Sequence, residues 1–105
     1  MFSGGDYEEV GRWLANFVAA HAKRENARVE AVADTAGARQ GKSYGVRVRL
    51  GKRLMPPPDQ SPLELSFGEV ADGRGQLAWC NELAARVRGL AAAFAAANQP
   101  SRQRA

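Results

Sequence analysis

Residues 44–50 constrain the fold more than any other stretch. Tyr44, Val46, Val48 and Leu50 alternate with Gly45, Arg47 and Arg49. That two-residue period belongs to a β-strand with an apolar inner face and a polar outer one. A strand of this kind fits an antiparallel sheet that is packed on one side and open to water on the other. It does not fit a parallel sheet buried on both faces, where strands read as continuous apolar runs. The parity also sends the Tyr44 ring toward the core.

The flanking segments supply the covering layer. Tyr7, Val10, Leu14, Phe17, Val18 and His21 follow one helical face, so residues 7–24 are predicted as an amphipathic helix. Asp6 suits its N-cap, and Asn26 suits a left-handed position beyond its C-terminus. Residues 76–98 form the second predicted helix, with Cys80, Leu83, Val87, Leu90, Ala91 and Phe94 on one stripe and Pro100 as its stop. Two further strands are expected at 27–33 and 63–68. Asp72-Gly73-Arg74-Gly75 reads as the turn before the last helix. Residues 56–58 are consecutive prolines, which are extended and cannot join a central strand. The expected fold is therefore α+β, a two-layer sandwich in α-β-β-β-α order. A three-stranded antiparallel meander is covered on one face by two helices. Residues 1–98 make the single domain and 99–105 a disordered, solvated tail.

Several chemistries are disfavoured. One Cys and one His supply neither an internal disulfide nor a closed zinc site, so no metal or cofactor is expected. No apolar run approaches the roughly 20 residues that cross a bilayer. The first residues lack a signal-peptide pattern, and the expected location is cytoplasmic. Residues 36–43 approach a Walker A loop, but Ala36 replaces its first glycine and a strand follows Ser43 where a helix is required. His21 reads as a boundary residue and Cys80 as a small buried hydrophobe. No spacing assembles nucleophile, base and oxyanion donors, so a non-enzymatic binding module is expected. Double-stranded-RNA-binding domains share the element order, but they carry a basic cluster where this chain has Gln76-Leu77-Ala78-Trp79-Cys80. Order alone assigns no family.

Charge is unevenly distributed. Residues 1–34 carry net −2, residues 35–58 net +6 and residues 59–105 net zero. The central segment holds Arg39, Lys42, Arg47, Arg49, Lys52 and Arg53 without an acid. A basic hairpin of this kind suggests contact with nucleic-acid phosphates. The competing expectation is that Arg47 and Arg49 pair across the sheet with Glu30 and Glu64.

Two features suggest a protein partner or a homodimer instead. Ala85, Gly89, Ala92 and Ala96 run down the last helix opposite its apolar stripe, where an ordinary solvent face carries Lys and Glu. Leu54 and Met55 precede the proline run, a preformed and low-entropy docking element.

Overall fold

A computed structural model describes residues 6–97, with side chains through residue 95. The expected tail and its proline stop lie outside the described residues. The elements are α1 (Tyr7–Glu25), β1 (Glu30–Asp34), a single 3-10 turn (Gly37–Arg39), β2 (Ser43–Leu50), β3 (Arg53–Met55), β4 (Leu63–Ser66), α2 (Phe67–Gly73) and α3 (Leu77–Ala97). The architecture is the α+β sandwich that the alternation at 44–50 implies. Helices cover one face of a four-stranded antiparallel sheet.

β2 is the hub of that sheet. β1 lies along one edge, with Ala31 opposite Val48 and Ala33 opposite Val46. β3 and β4 share the other edge in succession. Met55 pairs with Val48, and Leu63 and Leu65 pair with Val46 and Tyr44. Residues 56–62 connect them.

β3 was not expected, since residues 54 and 55 read as loop. It forms because Gly51, at φ +64°, turns the chain back through a two-residue hairpin that pairs Leu50 with Arg53. The last strand also ends two residues early. Ser66 caps α2 instead: its hydroxyl accepts from the Glu69 backbone N–H (3.1 Å), and the Glu69 carboxylate accepts from the Ser66 N–H (3.2 Å). This Ser-x-x-Glu capping box draws Phe67 into a helix rather than a strand.

Two boundaries near α1 differ from expectation as well. Asn26 is extended at φ −157°, not left-handed. Its side chain accepts from the Arg28 N–H (2.9 Å), and this local turn delays β1 to Glu30. Asp6 caps α1 as expected, accepting from the Glu9 N–H at 2.8 Å.

The core lies between the sheet and the helices. Val10, Leu14, Val18 and Ala22 from α1 meet Tyr44, Val46, Val48 and Leu65 from the sheet, and Leu83, Val87, Ala91 and Phe94 from α3. Each large aliphatic contributes about 1.5–3 kcal/mol through burial. Tyr44 is fully buried, so its phenol requires a partner. It donates to the Tyr7 carbonyl at 2.7 Å, and the two rings stack with centroids 4.6 Å apart. Burial, with Tyr7 beside it, pushes the Tyr44 pKa up to about 12.

Candidate interaction site

Among the described residues, no helix packs on the outer face of the sheet. That face presents Glu30, Val32 and Asp34 from β1, Ser43, Gly45, Arg47 and Arg49 from β2, Leu54 from β3, and Glu64 and Ser66 from β4. The cations of the basic segment divide between this face, its margins and, for Arg53, the helix-covered side.

Arg39 lies flat across Gly45. Its Nε and Nη2 donate to the Glu64 carboxylate at 2.9–3.1 Å, and Nη1 donates to Asp34 at 3.1 Å. A Cβ on residue 45 would stand 2.7 Å from the Arg39 Nε, so glycine is what lets the guanidinium rest on the strand. The Arg39 hydrogen bonds hold the Glu64 carboxyl below the usual carboxylate range, and the Ser43 hydroxyl (2.9 Å) acts in the same direction. Arg49 pairs with Glu30 and lowers its pKa likewise. The cross-strand pairing expected for Arg49 is thus present, while Glu64 takes Arg39 rather than Arg47.

Arg47 does something different. Its guanidinium donates to the carbonyls of Pro56 (2.8 Å), Pro57 (2.8 Å) and Gln60 (2.9 Å). Prolines bring carbonyl acceptors without N–H donors, and Arg47 supplies what the loop lacks. Arg53 stacks over the Phe94 ring at 5.5 Å. Lys42 and Lys52 are exposed, without an ion-pair partner among the described residues. They stand beyond opposite ends of β2, an eight-residue strand. A strand of that length spans roughly 25 Å.

A second surface lies along α3. Ala85, Gly89 and Ala92 are exposed, as the helical pattern anticipates, whereas the side chain of Ala96 lies outside the described residues. Two open grooves flank Gly89. One, of about 400 Å³, is lined by Pro56, Ser61, Pro62 and Leu63 on one wall and by Arg86, Gly89 and Leu90 on the other. The other, of about 290 Å³, is lined by Glu25, Ala85, Arg88, Gly89 and Ala92. The proline run and the small-residue helix face, two separate features of the sequence, therefore meet across one groove. Leu54 and Met55 are not part of it. Leu54 pairs with Arg49 on the outer sheet face, and Met55 packs against the core.

Sequence reasoning missed Ser61, Pro62, Leu63, Arg86 and Leu90. The available signal was local. Arg86 and Leu90 are four apart and flank Gly89 on the same side of a helix.

The Cys80 thiol donates to the carbonyls of Gly73 (3.5 Å) and Arg74 (3.7 Å). His21 packs on the Phe17 ring at 4.5 Å, with Nδ1 buried and unpartnered among the described residues. Burial lowers its pKa, and Arg24 and Arg88 lower it further. Among the described residues, no three His, Cys, Asp or Glu side chains gather as a metal site, and no helix is long and apolar enough to cross a membrane.

The fold and its surfaces define a small α+β sandwich with one open sheet face and a grooved helix. Comparison with protein-family models, curated proteins and solved structures finds no significant match.

Proposed function

We propose that this domain is a non-enzymatic protein-interaction module. Its partner segment lies in the groove between α3 and residues 56–63. The observation that carries this reading is the convergence of Pro56 and Gly89 on one groove. An exposed glycine inside a helix costs about 1 kcal/mol relative to alanine. At position 89 a Cβ would meet nothing within 4 Å among the described residues, so their packing gives no reason for glycine there. Access for another chain does. The facing wall is stiff, because proline rings fix its backbone and Arg47 clasps three of its carbonyls. A preorganised wall reduces the entropy lost on binding.

The basic hairpin gives less support to the phosphate-binding reading. Arg39 and Arg49 are ion-paired and Arg47 is held by the loop. A titration with duplex DNA and RNA separates the two readings. Six phosphate contacts give a log–log salt slope of roughly −5, and the two lysines alone no steeper than about −2. The shallow slope is expected.

The groove itself is tested with a random-peptide display library selected on the whole domain. Selected peptides are expected to lose at least about tenfold in affinity on Gly89→Met, which fills the groove but keeps a good helix former. Peptides indifferent to that substitution would refute the groove. A concentration-dependent dimer broken by the same substitution would make a second copy the partner.

A further inference from the structure

The groove's polar groups specify what enters it, given the reading above that a partner peptide binds there. We propose that it accepts an apolar side chain with Asp or Glu within two positions of it on either side, whose carboxylate is received by Arg86. Pro56, Pro62, Leu63 and Leu90 make the lining predominantly apolar, so the side chain that fills it is apolar too.

Among the described residues, the polar side chains of the lining are those of Arg86 and Ser61, one on each wall. Arg86 is exposed and has no ion pair or hydrogen bond among the described residues, even though Glu82 lies four residues before it on the same helix. Its guanidinium presents donors only, and the Ser61 hydroxyl across the groove can add another. Among the described residues, no acid lines the groove. The matching ligand group is an anionic acceptor, and a planar carboxylate fits the guanidinium fork.

The neighbouring groove provides an internal control. It also holds an arginine, Arg88, but Glu25 lines the same groove and accepts from Arg88 at 3.3 Å. Its charge is already matched within the domain. Two residues apart on one helix, one arginine is occupied and the other is open to a partner.

The test uses the whole domain and the same peptide library. Selection on the wild type is expected to enrich an apolar residue with Asp or Glu within two positions. Arg86→Gln is expected to weaken a selected peptide about two- to fivefold, the upper range of one exposed charge pair. The Asp→Asn form of that peptide should bind wild type and Arg86→Gln equally, so that the double-mutant cycle assigns the loss to this pair. Arg86→Glu should redirect the selection toward Lys and Arg. Peptides that are sensitive to Gly89→Met but show no acidic preference, or a cycle with no coupling, would overturn this inference and leave the interaction module standing. A selection with no peptide sensitive to Gly89→Met would overturn both.

Discussion

α1 and α3 are nearly equal in length, 19 and 21 residues, and both pack on the same side of the sheet. Their inner faces do the same work. Their remaining features differ. α1 has a hydrogen-bonded cap at Asp6, Glu8 and Glu9 in its first turn, and Lys23 and Arg24 in its last. Each of these complements the helix dipole or satisfies a terminal N–H. α3 has no acid in its first turn and no base in its last, and it exposes Ala85, Gly89 and Ala92. Folding accounts for the caps and charges of α1 and for the inner face of α3 and its Arg88–Glu25 pair, but gives no reason for the small exposed residues at 85, 89 and 92. A position that departs from the local optimum without an internal contact to offset it is where function is sought.

The inner faces give the largest predicted effects. Leu14→Ala and Phe94→Ala remove fully buried side chains from α1 and α3. Each should cost about 3–4 kcal/mol in urea denaturation. A loss below about 1 kcal/mol at Phe94 would mean that α3 is not part of the core. Next comes Gly73→Ala, at the end of α2. A Cβ there would stand 2.3 Å from the Trp79 ring. The expected cost is about 2 kcal/mol with altered tryptophan fluorescence, since the ring must move. An unchanged emission spectrum and midpoint would show that Trp79 does not seal this end of α3.

The contrast between the helices was itself partly legible. Residues 7–24 show the apolar stripe and Asp6 the N-cap, so α1 and its start follow from local rules, while the left-handed end expected at Asn26 does not form. Alternation at 44–50 identified β2 and hence the open sheet face. β3 and α2 were not anticipated, although each had a short signal. Gly51-Lys52 was a hairpin turn hidden by the proline run behind it, and Ser66-x-x-Glu69 was a capping box hidden by an alternating pattern that ran into Phe67. The ion pairs were harder to read. Arg39 reaches Glu64 across 25 positions of sequence, and only the register that places Gly45 opposite Glu64 brings them together. The groove depended on the same kind of long-range information. Gly89 and Pro56 each stood out in sequence, but nothing local indicated that they face one another.

Smaller changes test the difference between the helices by its sign. Asp6→Ala should destabilise by about 1 kcal/mol, because the Glu9 N–H loses its acceptor. Gly89→Ala should do the opposite and stabilise by up to about 1 kcal/mol, since the added methyl meets open space. Matched thermal melts measure both. A destabilised Gly89→Ala would mean that the glycine serves packing inside the chain, and the argument that its exposed face awaits a partner would lose its basis.

The smallest effect lies at the seam between the two helices. His21 on α1 is buried at Nδ1 and sits near Arg24 of α1 and Arg88 of α3, with Glu25 paired to Arg88 alongside. Burial and the two cations disfavour the imidazolium in the folded domain, so its folded pKa lies below the ordinary 6.5. The unfolded chain therefore binds a proton that the folded one refuses. Stability from this source is fully present above about pH 6.5 and declines as pH falls through the lower folded value. Glu30 and Glu64 act in the same direction at lower pH, since their folded pKa values lie below the ordinary 4.5. Denaturation midpoints across this range should therefore fall in two stages. His21→Leu should remove the upper stage and leave the lower one, which belongs to the sheet's ion pairs. A His21→Leu profile that still declines as pH first falls below the ordinary histidine value would place the titrating group elsewhere than the seam of α1 and α3.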